Sequence, residues 1–234
     1  MKYQEIEFGT FLDRPNRFVA HVKIEDADGL SHTETVHVKN TGRCKELLVP
    51  GCRVVLERAQ NPDRKTQYDL VATYKESPAH AHGWLFNIDS QAPNKVVGEW
   101  LLSQGFDLVK PEFTYGSSRV DFMMERGQDR YLLEVKGCTL EIDGVGYFPD
   151  APTERGIKHL RELAQAAQAG WHAGIAFVIQ MEGVHEVRPN VSTHPEFGIA
   201  LEAAQKAGVQ VLFLECTVAP DQLRIVHASK GFSC

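Results

Sequence analysis

Two carboxylates and a lysine fall on neighbouring predicted strands, where their types and spacing suit phosphate chemistry. Asp121 lies in the first strand, residues 119–124, and Glu134 and Lys136 lie in the second, residues 131–137; the charged segment between the strands predicts a hairpin turn. Because side chains alternate across a strand, Glu134 and Lys136 point to one face, with Asp121 on the partner strand. Paired carboxylates suit a hard cation such as Mg²⁺, and a lysine can hold a phosphate or polarise a water molecule.

The same pattern also has a purely structural explanation. Glu-x-Lys in a strand is common on a solvated sheet face that carries a weak, exposed ion pair. The surrounding elements favour the functional explanation, because a helix predicted at 94–104 and a strand predicted at 108–115 precede the hairpin and a long helix follows it. This order of elements, with Asp followed by Glu-x-Lys, resembles the PD-(D/E)xK nuclease-like fold.

The helix predicted at 153–168 is the second feature that suits an anion. Thr153 is the expected N-cap, and apolar residues recur at helical spacing behind it. Three side chains near the helix start, where backbone N–H groups also favour anions, are candidate phosphate contacts: Arg155, Lys158 and His159. The alternative is a solvated helix in which Lys158 pairs with Glu162. The Gly-rich segment 144–150 leads into this helix, and it is either a mobile flap over the site or a loop whose aromatic pair packs against the protein.

Composition limits the function classes. The 234-residue chain is 43% hydrophobic and 24% charged, which is typical of a globular protein with one large or two small domains. The sequence shows neither a signal-peptide pattern nor a long apolar run, so we expect a cytoplasmic protein without a membrane span. Five cysteines without a CxxC pair indicate reduced thiols. The net charge of -6 argues against a generally basic protein that coats nucleic acid, but it is compatible with a local basic patch.

Residues 1–82 form the first predicted domain, which is electrically neutral. Short strands at 17–25, 31–38, 53–58 and 67–74, a short helix at 45–48 and frequent Gly, Pro and Asn predict a five-stranded OB-like β-barrel. Such barrels commonly bind oligonucleotides with basic and aromatic side chains. The candidates for that face are Arg14, Arg17, Arg43, Arg64, Lys65 and Tyr68.

Residues 83–234 form the second predicted domain and carry the whole acidic excess. After the hairpin and its following helix, a strand at 172–180, a helix at 195–206 and a strand at 210–215 predict an α/β domain with a mixed sheet. The stretch from Ser77 to Gly83 is the predicted linker, and no recognisable signal follows the last strand.

Several motifs together make the chain similar to the sugar fermentation stimulation protein (SfsA) family. They are Asn40-Thr-Gly-Arg, Glu46-Leu-Leu-x-Pro-Gly, Ser118-Arg-x-Asp-Phe, Glu134-Val-Lys and Gly146-Tyr-Phe-Pro-Asp-Ala-x-Thr-Glu-Arg-Gly-x-Lys-His-Leu. The resemblance implies an N-terminal OB-like domain, a C-terminal nuclease-like domain, DNA binding and a link to the regulation of sugar (maltose) metabolism. It matches Asp121, Glu134 and Lys136 to the nuclease-like triad. Glu99 or Glu112 would then supply a further metal-binding acid.

Two hypotheses follow. In one, the chain is a DNA-binding protein whose contacts are largely independent of sequence, because no helix-turn-helix or zinc-finger spacing is present. In the other, it is a nuclease in which Asp121 and Glu134 hold Mg²⁺ or Mn²⁺ and Lys136 orients water or stabilises the developing charge. The strandedness of the nucleic acid, the choice of DNA or RNA, and the oligomeric state stay open.

Overall fold

The structure is a computed structural model that describes residues 1–26, 28–40 and 42–229 of the chain. Thr41 of the Asn40-Thr-Gly-Arg motif and Cys234 lie outside the described residues. Fifteen strands and three helices are assigned within them, and they fall into two compact units.

The first unit is a barrel built mainly from Met1–Ala92, to which Gln180–Glu182 and Thr217–Arg224 also belong. Its strands are β1 (Ile6–Asn16), β2 (Val19–Glu25), β3 (Ser31–Val38), β4 (Arg53–Arg58), β5 (Tyr68–Ser77) and β6 (His80–Asn87). They follow the order β3-β2-β1-β4-β5-β6, and a pairing between β3 and β5 closes the sheet. Alternating burial along β2 turns Val22 and Ile24 into the barrel, as expected for strands with one wet face.

The second unit comprises Pro93–Ile179, Gly183–Cys216 and the chain from Ile225 onward. Its helices are α1 (Ala92–Leu102), α2 (Glu154–Gln168) and α3 (Pro195–Lys206). Its strands are β7 (Leu108–Tyr115), β8 (Ser118–Arg126), β9 (Asp129–Cys138), β10 (Leu140–Ile142), β11 (Val145–Phe148), β12 (His172–Ile179), β13 (Val187–Pro189), β14 (Gln210–Ala219) and β15 (Gln222–Ala228).

The main sheet of this unit follows the order β15-β14-β12-β9-β8-β7. Strands β7, β8 and β9 pair antiparallel, whereas β9, β12 and β14 run parallel, so the sheet is mixed, as predicted. Seven of the eight residues of β12 are buried, which explains its almost uninterrupted apolar sequence. A second, three-stranded sheet has the order β10-β11-β13.

Two local predictions were wrong, and two further segments needed the structure to be interpreted. Residues 45–47 form a turn and residue 48 has no regular structure, so the predicted helix at 45–48 is absent. The predicted linker from Ser77 to Gly83 contains the turn of the β5–β6 hairpin and the start of β6. For segment 144–150 the structure agrees with packing, because the segment contains strand β11, whose Phe148 ring packs against Phe177 and Phe197 at centroid distances of 5.5 and 5.1 Å. The C-terminal segment, for which the sequence predicts no element, forms strand β15.

No helix in the described part of the chain combines the length and the apolar character needed to cross a lipid bilayer.

Candidate functional site

The hairpin of β8 and β9 brings Asp121, Glu134 and Lys136 together. The register pairs Phe122 with Leu133, which places Asp121 and Glu134 one step further along the same two strands. The Lys136 ammonium donates a hydrogen bond of 2.5 Å to Glu134 Oε1. The predicted common face of Glu134 and Lys136 is therefore confirmed, and both side chains lie in a largely buried part of the sheet.

Glu134 is the central group of the site. Only 2% of the residue is exposed, and Oε1 accepts hydrogen bonds from both Lys136 and His159 Nδ1. Its second oxygen, Oε2, is buried and has no hydrogen-bond partner. Burial alone would raise the pKa of Glu134, but the His159 hydrogen bond and the Lys136 charge outweigh burial and hold the pKa below its usual value. The carboxylate is therefore charged at neutral pH, with one oxygen available for a ligand.

His159 has a different role from the one predicted. It was a candidate nucleic-acid contact, yet only 5% of it is exposed because its ring packs against Glu134. Arg155 Nε donates to His159 Nε2 at 3.4 Å, so Nε2 is the acceptor and Nδ1 carries the hydrogen given to Glu134. The helical period could have revealed this role, because position 159 lies between the buried Ile157 and Leu163 on α2.

Asp121 is the second carboxylate of the site. Its Oδ2 accepts from the Val135 N–H at 2.7 Å, and its Oδ1 accepts from Asn94 Nδ2 at 2.7 Å. Burial, with the nearby negative charge of Glu134, raises the pKa of Asp121. Sequence reasoning missed Asn94, because nothing in the sequence relates the first turn of α1 to a residue 27 positions later.

The two candidates for a third metal-binding acid do not join the site. Glu112 pairs with Arg119 at 3.4 Å on the exposed part of β7, and Glu99 is exposed on α1. Across residues 1–26, 28–40 and 42–229, no three His, Cys, Asp or Glu side chains converge as a metal site. The donor set that does fit a hard cation is the carboxylate pair of Asp121 and Glu134, because Glu134 Oε2 is an unpartnered oxygen ligand.

The start of α2 has the predicted N-cap, but the cationic side chains near it differ in how far their contacts leave them available to a ligand. Thr153 is the N-cap, and its Oγ1 accepts from the Gly156 N–H at 3.1 Å. Lys158 lies 3.8 Å from Glu162, which is the internal pair expected for a solvated helix. Arg155 is exposed and also contacts His159.

The six predicted contacts of the barrel do not share one role. Arg17, Arg43 and Lys65 are exposed. Arg14 donates to four backbone carbonyl groups. Arg64 binds Asp69 through both terminal nitrogens, at 3.0 and 2.7 Å.

Tyr68 requires a correction. The residue is only 7% exposed, and its hydroxyl contacts Glu7 at 2.9 Å and Arg58 at 2.6 Å. It therefore forms part of the barrel's internal packing and not of an exposed stacking face.

Comparisons with known proteins agree with this architecture. A family model described as "Sugar fermentation stimulation protein RE domain" matches residues 91–222, and one described as "SfsA N-terminal OB domain" matches residues 12–82. The OB-like barrel followed by an α/β domain is thereby confirmed.

Proteins named "Sugar fermentation stimulation protein homolog" are similar over almost the whole chain. The relative from Desulfitobacterium hafniense is 50% identical over 226 residues, covering 95% of this chain and 94% of the relative. That from Ruminiclostridium cellulolyticum is 50% identical over 222 residues, covering 93% of each chain. A structure of Pyrococcus furiosus SfsA in complex with Ca²⁺ superposes with a TM-score of 0.81 at 27% identity, covering 96% of each chain.

Proposed function

The chain belongs to the sugar fermentation stimulation protein family, and we propose that it binds DNA and cleaves it with a divalent cation held by Asp121 and Glu134. The observation that carries this proposal is the bonding of Glu134. One oxygen accepts two hydrogen bonds, while the other is buried without a partner. Leaving a buried carboxylate oxygen unsatisfied is costly, so the site favours a cation that binds at Oε2.

The chemistry of the donors favours Mg²⁺ or Mn²⁺. Both are hard cations that prefer carboxylate oxygens, and the similar Pyrococcus furiosus structure is described with Ca²⁺, a cation of the same preference. Burial, together with the negative charge of Glu134, raises the pKa of Asp121, and a cation would offset the repulsion between the two carboxylates. When bound, such an ion polarises a phosphate oxygen and lowers the pKa of a water molecule.

The chain's own side chains would prepare this reaction. His159 and Lys136 both donate to Glu134 Oε1, which orients the carboxylate and leaves Oε2 for the cation. The Lys136 ammonium can in turn orient the attacking water or stabilise the negative charge that develops on the phosphate. Asn94 and the Val135 N–H hold both oxygens of Asp121, so that the second carboxylate is positioned before any substrate binds.

A plasmid-nicking assay with Mn²⁺ or Mg²⁺ tests the proposal. The wild type should nick DNA, and chelator, Glu134→Gln or Lys136→Ala should each abolish nicking while DNA affinity stays within a few-fold. The two variants serve as matched controls for contaminating nuclease. Nicking that persists in both variants would assign the activity to another protein or another site.

A second candidate function is DNA binding without cleavage. The observation that favours it is that no third metal-binding side chain joins Asp121 and Glu134 within the described residues. In that case the wild type would bind DNA at low salt but would nick no more than Glu134→Gln at any pH tested.

DNA binding under either function should depend on phosphate contacts. The exposed cations Arg17, Arg43 and Lys65 are the proposed contacts. Each phosphate neutralised on duplex DNA should add about 0.9 to the log-log salt slope. Arg43→Ala should therefore weaken all sequences alike, and a loss confined to one sequence would contradict the proposal. A role in sugar metabolism, which the family name associates with the relatives, would act through this binding.

A further inference from the structure

One arginine organises the end of the β1–β2 hairpin. Arg14 Nη1 donates to the carbonyl oxygens of Gly42 and Arg43, both at 2.9 Å, and Nη2 donates to those of Arg17 at 2.7 Å and Asn40 at 2.6 Å. Bonds from a charged, planar guanidinium are strong and directional. Arg14 therefore holds the backbones of Arg17 and Arg43 beside each other, while the side chains of both are exposed.

Phe18, the next residue along the hairpin, is an exposed aromatic on this fixed backbone. Half of it, 51%, is accessible to solvent. Its N–H donates to Asn16 Oδ1 at 2.8 Å, and its carbonyl oxygen accepts from the Val38 N–H at 2.8 Å. The backbone that carries the ring is thus held in place, which lowers the entropic cost of binding a partner.

A second exposed phenylalanine of the same barrel, Phe8, has its ring partly covered by an arginine side chain. Phe8 is 40% exposed, but the Arg53 guanidinium lies 4.0 Å from its ring centroid. The Arg17 guanidinium is 5.8 Å from the Phe18 centroid, close to the limit of a cation–π contact. Phe18 therefore retains more ring surface for a ligand than Phe8 does.

The cations beside Phe18 are free to meet an anion. Among the residues that the structure describes, no carboxylate forms an ion pair with Arg17 or Arg43. The acid nearest to Arg17 in the sequence, Asp13, is bonded to His21 at 2.8 Å. An exposed ring with the Arg17 guanidinium 5.8 Å from its centroid, next to a backbone that also carries Arg43, complements a ligand that combines planar bases with regularly spaced negative charges.

We propose that Phe18, Arg17 and Arg43 form a binding site for single-stranded nucleic acid, in which a base stacks on the Phe18 ring and the flanking phosphates meet the two arginines. A single strand fits because its bases have free faces, whereas the bases of a duplex are already stacked on each other. The site rests on the proposed function only in taking nucleic acid as its ligand. It does not depend on cleavage.

Fluorescence anisotropy with a labelled oligothymidylate and a matched duplex tests this site. The full-length protein carries Glu134→Gln and is kept in chelator at low salt, so that cleavage cannot interfere. Phe18→Ala should weaken single-strand binding about five- to a hundred-fold and leave duplex binding within about two-fold. Phe18→Leu should weaken it similarly, because it keeps apolar area but removes the ring. Phe18→Trp should bind at least as well as the parent.

Phe8→Ala is the matched control and should bind the single strand like the parent. Arg17→Ala and Arg43→Ala should each lower the single-strand salt slope by about 0.7. Full single-strand affinity in Phe18→Ala, or an equal loss on both probes, would overturn this site while nucleic-acid binding itself stands. A parent protein that binds neither probe would overturn both the site and the proposed function. Thermal unfolding of each variant confirms that it is folded.

Discussion

Two buried carboxylates, Asp69 in the barrel and Glu134 in the C-terminal sheet, are bonded to different degrees. Asp69 is 8% exposed, and both of its oxygens are used, since Arg64 binds Oδ1 and Oδ2 and His37 Nδ1 lies 2.8 Å from Oδ1. Glu134 is more deeply buried, yet both of its donors bind the same oxygen and Oε2 has none.

The difference separates a structural role from a ligand-binding role. A buried carboxylate that a guanidinium binds through both oxygens, as Arg64 binds Asp69, already has its charge compensated and has little capacity left for a cation. Asp121 differs from Asp69, because its two donors, Asn94 Nδ2 and the Val135 N–H, are neutral. A buried carboxylate with one unsatisfied oxygen is less stable as it stands and is suited to a cation. Burial and charge alone would not distinguish Asp69 from Glu134, whereas the number of partners at each oxygen does.

The largest expected effect is on DNA cleavage, and it distinguishes two single variants in which a carboxylate becomes an amide, Glu134→Gln and Asp69→Asn. Glu134→Gln should reduce metal-dependent cleavage by at least about a hundred-fold, because it removes the charge that holds the cation. Asp69→Asn should leave cleavage unchanged but lower the free energy of unfolding by about 2 kcal/mol, since the charged bonds to Arg64 are weakened. Nicking assays and urea unfolding measure the two effects. Equal loss of cleavage in both variants would contradict the assignment of a structural role to Asp69 and a metal-binding role to Glu134.

The second prediction concerns the increase in Tm that a bound metal ion causes. At a hundred times its dissociation constant, a cation that binds only the folded state adds about 2.7 kcal/mol, which raises Tm by roughly 5–10 °C for a chain of this size. Asp121→Asn should abolish most of this increase in Mn²⁺, whereas Asp69→Asn should retain it. Differential scanning calorimetry of both variants, with and without Mn²⁺, measures these changes in Tm. An equal increase in wild type and Asp121→Asn would place the metal elsewhere.

The third prediction concerns how Asp69 makes the free energy of unfolding depend on pH in the acid range. Burial would raise its pKa, but the bonds from Arg64 and His37 and the charges of Arg64 and Lys39 outweigh burial and hold the pKa below its usual value. A depressed folded-state pKa gives stability that is present above the unfolded pKa, about 3.9, and is lost as pH falls through the folded pKa. The difference in unfolding free energy between wild type and Asp69→Asn should therefore be constant above about pH 5 and shrink below pH 4. If this difference in unfolding free energy grew as the pH fell, it would contradict a lowered pKa of Asp69 in the folded state.

The smallest expected effect concerns Tyr68. Tyr68→Phe should lower the free energy of unfolding by about 1 kcal/mol, because the hydroxyl bonds to Glu7 and Arg58 are lost. Affinity for single-stranded and duplex DNA should stay at the wild-type value, since the ring is buried. Chemical denaturation and anisotropy titrations provide the two measurements. Weaker DNA binding would restore Tyr68 to the binding face that the sequence suggested.

Regular elements were predictable where the local pattern is strong. The strands Ser31–Val38, Arg53–Arg58 and Leu108–Tyr115 and the helix Pro195–Lys206 have the same bounds in prediction and structure. Strands β10, β11 and β13 were missed because three or four residues are too few for a period to show. Strand β6 was missed because its start, with Pro78 and Gly83 nearby, has the composition of a linker.

The sequence by itself determined the parts of the site that depend on short spacing. Alternation along one strand puts Glu134 and Lys136 on one face, a hairpin brings Asp121 opposite, and Thr153 caps α2. These relations span at most a turn and two strands, so the geometry of the backbone is sufficient to fix them.

Only the tertiary structure decided which groups satisfy those side chains. His159 reaches Glu134 across 25 positions, Asn94 reaches Asp121 across 27, and Arg14 reaches Asn40 across 26. Each of these contacts depends on how a helix or loop packs on a sheet, and no local periodicity encodes that packing. Packing thus turned His159 from a predicted surface cation into a buried partner of Glu134. By directing both donors to Oε1, it also left Oε2 as the one buried Glu134 oxygen without a bond.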